Sequence, residues 1–254
     1  LDRGSERLVY DVECDWQEKG SREQGVPQLY FHWPLAERCE SYLYDVPFGV
    51  VRRAPFLDDV PANRFGVAEA PSPGRSSLMI ATVNKYGFRG TGDELNVTLI
   101  RSSFDPDPYP ELGDHHRFSL AVGPVDAQGL GAQGLIAAAQ SFQHPLTVLS
   151  GTAHAGTLPA EGSFLEILEG KVAVSAVKLA EDGERRCIVR VYEADGAAAA
   201  VRLKLSVPPR AAWLVDANER PLPADAAAPV AVDGSIVSFT VPAYSAAAVC
   251  IDFA

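Results

Sequence analysis

The stretch RLVYDVECDW (7–16) sets apolar or aromatic side chains at Tyr10, Val12, Cys14 and Trp16, with an acid at each position between them. A period of two puts successive side chains on opposite faces, which describes a half-buried strand and excludes an amphipathic helix. Trp16 then belongs to a core. Alternation, or enrichment in β-branched and aromatic residues, returns in PQLYFHWPL (27–35), CESYLYDVPFGVV (39–51), SSLMIATV (76–83), ELNVTLIRS (94–102) and HRFSLAVGPV (116–125). The clusters PFG, PSPGR, KYGFRGTGD and DPDPYP punctuate these runs. One segment, AQGLGAQGLIAAAQSF (127–142), reads as a helix, weakened by its internal glycines.

A Pro-, Gly- and Ala-rich connection, HPLTVLSGTAHAGTLPAEG (144–162), precedes a second series of short strands at regular spacing, from SFLEILEG to SIVSFTVPAYSAAAVCIDF. That spacing predicts a β-sandwich, and EDGE and ADGA read as Asp-Gly hairpin turns. The expectation is an all-β protein with one domain over 1–162 and a smaller β-sandwich domain over 163–254.

A chain of 254 residues buries about three quarters of its unfolded surface, enough for one large or two smaller cores. Its net charge of −11 argues against a phosphate-tracking nucleic-acid binder and against an anionic membrane surface. No apolar run approaches the roughly 18 residues of a membrane span. The sequence opens on Leu1, its single Met is Met79, and no basic and apolar leader precedes the first strand. The expectation is a piece cut from a longer chain at a domain boundary, with a processed mature protein as the alternative. Cys14, Cys39, Cys187 and Cys250 sit in strand-like apolar contexts without metal-ligand spacing. They read as buried thiols in a reducing compartment, the cytoplasm. Asn96-Val97-Thr98 matches a glycosylation acceptor but lies inside a predicted strand, so the match reads as chance.

The chemistry-bearing segment is LIRSSFDPDPYPELGDHHRFSL (99–120). Two carboxylates roughly 5–5.5 Å apart serve a retaining glycosidase, but Asp105 and Asp107 are two apart and point to opposite sides of an extended chain. Each Asp-Pro step stiffens a turn, which is the stronger reading. Adjacent His115 and His116 diverge on a strand, and no metal-ligating cluster, nucleophile elbow or phosphate-binding loop appears. Arg101 either locks the acidic loop by a bidentate bond or reaches a ligand. NKYGFRGTG (84–92) offers Lys85 and Tyr86 on a glycine-rich turn, suited to sugar hydroxyls or a partner domain, or simply a hairpin loop.

VECDWQE (12–18), YDVPFGVVRRAP (44–55), NKYGFRGTGDELNVTLIRSSFDPDPYPELGDHHRFSLAV (84–122) and VSAVKLAEDGERRCIVRVYEADGAAAAVRLKL (174–205), taken in order, resemble the C-terminal region of family 38 glycoside hydrolases, the α-mannosidases. The resemblance implies a galactose-mutarotase-like β-supersandwich followed by a smaller β-sandwich. It implies a retaining, zinc-dependent parent enzyme acting on mannose-containing oligosaccharides, whose zinc and aspartate nucleophile belong to a preceding catalytic domain. No cofactor is then expected in this chain, which would dock its own catalytic domain and shape the active-site rim. The matching rim candidates are Arg101, Asp105, Asp107, Lys85 and Tyr86. Phe88 stands where the family has a tyrosine, so a hydroxyl is lost, and Arg52-Arg53 replaces a more usual Glu-Arg pair. Two other readings stay open. One is a carbohydrate-binding module using Tyr86, Phe104 or Tyr109. The other is a mutarotase-like epimerase using His115 or His116 with Glu111.

Overall fold

The computed structural model describes residues 5–72, 74–104, 114–152, 155–157, 159–183, 185–223 and 228–253. They form an all-β protein of eighteen strands with one helix. The chain divides into two compact units, Leu1–Pro145 and Leu146–Ala254. Among the described residues no helix is long and apolar enough to cross a membrane.

The first unit contains, in chain order, β1 (Leu8–Trp16), β2 (Gln28–Pro34), β3 (Tyr42–Val46), β4 (Gly49–Arg53), β5 (Val60–Pro61), β6 (Phe65–Ala68), β7 (Ser77–Thr82), β8 (Gly87–Gly90), β9 (Glu94–Arg101), β10 (Asp114–Val125) and α1 (Ala127–Gln143). A six-stranded antiparallel sheet, β1-β10-β7-β6-β3-β4, shares its core with a four-stranded sheet, β2-β9-β8-β5. The alternation read in residues 10–16 is used as expected: Tyr10, Val12, Cys14 and Trp16 pack on that core while Asp11, Glu13 and Asp15 face outward. Opposite them Phe118, Leu120 and Val122 of β10 and Leu95, Val97 and Leu99 of β9 are buried.

Two expectations change. CESYLYDVPFGVV is a hairpin, β3–β4, turning at Phe48 with φ 61°, a left-handed conformation that bulky residues rarely adopt. The glycines of KYGFRG serve packing rather than flexibility, since residues 87–90 form β8. A Cβ on Gly90 would lie 2.6 Å from the Tyr42 ring. The predicted helix forms, kinked at Gly131 (φ 64°) and capped by Asp126, whose Oδ1 accepts from Gly129 N at 2.9 Å.

The second unit contains β11 (Leu165–Glu169), β12 (Ala173–Leu179), β13 (Arg186–Tyr192), β14 (Ala199–Leu205), β15 (Ala211–Val215), β16 (Ala231–Asp233), β17 (Ile236–Val241) and β18 (Ala246–Asp252). Two four-stranded sheets, β11-β14-β17-β16 and β12-β13-β18-β15, enclose one core, a β-sandwich. EDGE does join two paired strands, β12 and β13. ADGA does not: β13 and β14 lie in different sheets, so that turn carries the chain across the sandwich.

Candidate functional site

The antiparallel order brings the β1–β2, β7–β8 and β9–β10 connections to one pole of the first sandwich. There the segments singled out from sequence meet. Ser102, fully buried, accepts from Trp16 Nε1 at 2.6 Å and donates to the Glu18 carbonyl at 2.9 Å. A Cβ on Gly20 would stand 2.4 Å from the Ser102 carbonyl, so a side chain there would push the two loops apart. The DWQE segment is therefore the clamp on the strand end that carries Arg101. Sequence reasoning put Trp16 in the core and missed Ser102, a small hydroxyl with no motif of its own.

Arg101 ends β9 opposite Gln28, is exposed, and makes no ion pair among the described residues. Its predicted carboxylate partners Asp105 and Asp107 lie outside the described residues, as do Tyr109 and Glu111. The Lys85 ammonium sits 4.3 Å from the centroid of the Phe118 ring, and burial holds it below the ordinary lysine pKa. It too has no carboxylate partner among the described residues. The Lys85 carbonyl accepts from Thr82 Oγ1 at 2.8 Å and the Tyr86 carbonyl from Ala62 N at 2.9 Å, so the turn is held while the Tyr86 ring stays 60% exposed.

The histidines take other roles. His115 Nδ1 lies 2.7 Å from Asp15, and its Nε2 accepts from Arg117 Nε at 3.2 Å. Both ring nitrogens are thus committed to an exposed cross-strand ladder. His116 turns inward, its Nε2 buried without a hydrogen-bond partner among the described residues. His32 pairs with Glu94 at 2.7 Å. Among the described residues no three His, Cys, Asp or Glu side chains are placed to hold a metal ion, so they do not fit a zinc site. Asn96 is 5% exposed on β9, out of reach of a glycosylating enzyme in the folded chain.

In the second unit the conspicuous motif residues are architectural. Lys178 bridges Glu181 and Glu219, and Glu219 accepts from Glu181 N at 2.8 Å, which ties the β12–β13 turn to the turn after β15. Glu193, 1% exposed, accepts from Asp195 N at 2.6 Å, Gly196 N at 3.0 Å and Tyr244 N at 2.8 Å. Burial pushes its carboxyl up, but these backbone donors outweigh burial and hold it below the ordinary range. Residues 171–244, which contain strands β12 to β17 of this sandwich, match the family described as the glycosyl hydrolases family 38 C-terminal beta sandwich domain. The chain is a family 38 C-terminal region.

Relatives matched over most of the chain agree. The family 38 chain is 29% identical to human alpha-mannosidase 2C1 over 235 residues, which are 88% of this chain and 21% of that protein. It is 30% identical to the mouse protein of the same name over 232 residues, 87% of this chain and 21% of that one. It spans about a fifth of the relatives it matches. The crystal structure of an alpha-mannosidase from Enterococcus faecalis V583 superposes with a TM-score of 0.71 at 16% identity, covering 98% of this chain and 27% of that one. The fold of both units is thus that of a family 38 C-terminal region.

Proposed function

We propose that this chain is the non-catalytic β-region of a retaining, zinc-dependent α-mannosidase, and that the first sandwich shapes the rim of its active site. The observation that carries the reading is the pair of uncompensated cations at one pole. Lys85 lies in the β7–β8 connection and Arg101 ends β9; they are held by the Thr82, Phe118 and Trp16–Ser102 contacts and have no counter-charge among the described residues. Positioned donors of that kind bind sugar hydroxyls or the carboxylates of an adjoining domain. Tyr86 adds an exposed ring beside them. Asp105 and Asp107 complete the proposed rim.

Docking of the chain's own catalytic domain is supported by the second unit. An apolar groove of about 680 Å³, lined by Phe164, Val177, Leu179 and Phe253, is left open. Exposed apolar surface of this kind marks an interface. The substrate class is mannose-containing oligosaccharide, and the zinc and nucleophile would reside in the catalytic region. All four cysteines are free thiols, which supports a cytoplasmic location.

The test is hydrolysis of a chromogenic aryl α-mannoside by the 254-residue chain, with and without zinc, and again with the catalytic region joined to it. The reading expects no turnover from the chain alone and turnover from the joined protein. Zinc-dependent turnover by the chain alone overturns it.

A further inference from the structure

At the opposite pole of the first sandwich, where β2 ends at Pro34 and β7 begins at Ser77, the two sheets part around a cavity of about 320 Å³. This lies at the lower end of the roughly 300–1,000 Å³ of small-ligand pockets, room for one small ring. Trp33, Leu35 and Leu78 line it from the core side. The Trp33 indole is fixed: it stacks on Phe31 (centroids 6.1 Å apart, planes 24° apart) and meets the Tyr10 ring edge-on at 6.5 Å. Across the cavity, the β2–β3 connection and the β6–β7 connection are joined by a 2.9 Å ion pair between Glu37 and Arg75. Arg38 and Glu69 complete the charged lining. Glu69 is gripped by Arg52 at 2.8 and 2.9 Å and by the Ser41 hydroxyl. A second, polar recess of about 280 Å³, lined by Ser72, Asp126 and Gln128, shares Glu69 and Arg75 with this cavity.

We propose that this cavity is a second carbohydrate site, which binds a single neutral pyranose with its C–H face on Trp33 and its hydroxyls on Glu37, Arg75 and Glu69. A rigid aromatic wall suits a ring that presents apolar C–H groups on one side. Two carboxylates and two guanidiniums line the cavity, and each is already in an ion pair, Glu37 with Arg75, Glu69 with Arg52 and Arg38 with Glu40, so the lining carries no unpaired charge. An anion would face Glu37 and Glu69, and a cation would face Arg38 and Arg75. A purely apolar ligand would leave the charged rim without hydrogen bonds to replace its water. A neutral polyhydroxy ring satisfies both kinds of wall, since each hydroxyl donates to a carboxylate and accepts from a guanidinium. The polar recess gives a glycosidic substituent somewhere to continue. This site is at the other end of the sandwich from Lys85 and Arg101, and its occupancy does not depend on hydrolysis.

The three tryptophans, Trp16, Trp33 and Trp213, give a site-specific readout. In the 254-residue chain labelled with ¹⁵N, the three indole N–H resonances are followed while methyl α-D-mannopyranoside is added. The inference expects saturable movement of the Trp33 resonance with the Trp16 and Trp213 resonances stationary. Arg75→Ala and Glu37→Gln, both on exposed side chains, should each weaken the apparent affinity about tenfold. Trp33→Phe should abolish binding with the fold retained, but the two rim variants decide the matter if that core-facing change unfolds the chain. A stationary Trp33 resonance, saturable movement of Trp16 instead, or unaltered affinity in both rim variants overturns the proposal.

Discussion

Replacing Glu193 by glutamine removes one charge and exchanges one acceptor oxygen for an amide nitrogen in a buried cradle of backbone donors. Whichever way the amide turns, its NH₂ confronts either Tyr244 N or the Asp195 and Gly196 N–H groups, which now bond 2.8, 2.6 and 3.0 Å from the two oxygens. Losing a hydrogen bond to a charged group costs about 1.5–3 kcal/mol, and stranding a buried donor costs about 1–3 kcal/mol. These overlap in one cradle, so the expected loss is about 2–4 kcal/mol at neutral pH. For a unit of this size, at about 4–8 °C per kcal/mol, the second unit should melt at least about 8 °C lower. The loss must also depend on pH. The native carboxyl lies below its ordinary value of 4.5, so its contribution is fully present above that value. It disappears as pH falls through the lower native pKa. Urea unfolding of the 254-residue chain and of Glu193→Gln at neutral pH and at successively more acidic pH measures both effects. A loss below about 0.5 kcal/mol, within the range of ordinary surface changes, refutes the cradle. So does a loss that stays constant into acid.

Three further outcomes follow from the packing. Trp16→Phe keeps the ring in the core but deletes the Nε1–H donated to Ser102; it should cost about 1–2 kcal/mol in denaturant unfolding. Asp45 is fully buried and held at 2.5 and 2.9 Å by Arg64, with burial pushing its carboxyl up against the pull of the guanidinium. Asp45→Ala removes both of these bonds to a charged group and should cost at least about 1.5–3 kcal/mol, measured the same way. His115→Ala removes only an exposed ladder contact. It should change stability by less than about 0.5 kcal/mol and leave mannosidase activity of the protein joined to its catalytic region intact.

Local pattern made the sheets legible and left most long-range pairing hidden. Period-two alternation in residues 8–16 names the inward row correctly because one face of β1 is buried and the other solvated. The helix over 127–143 shows in its alanines, but its kink is set by one glycine, Gly131, and the sequence offers three inside it. β8 was hidden because glycine is a poor strand former by propensity. Its presence there is dictated by Tyr42, a ring 48 residues earlier in the chain. Lys178 and Glu193 fall in the segment 174–205 that carries the family resemblance, and the sequence around them does not show their role. Their partners Glu219 and Tyr244 are 41 and 51 positions away, and only the fold shows that these charges are spent on turns. Trp33 was legible as a strand residue, while the cavity it lines depends on where the β6–β7 connection passes.

The rim role is the central claim, and Arg101 is its most exposed commitment. The direct measurement is kcat/KM for an aryl α-mannoside in the protein that joins this chain to its catalytic region, with Arg101→Ala compared against the parent and the melting temperature recorded for both. The account predicts a fall of at least about tenfold, equivalent to about 1.4 kcal/mol of transition-state stabilisation, at an unchanged melting temperature. Unchanged kcat/KM in a folded Arg101→Ala protein would contradict it.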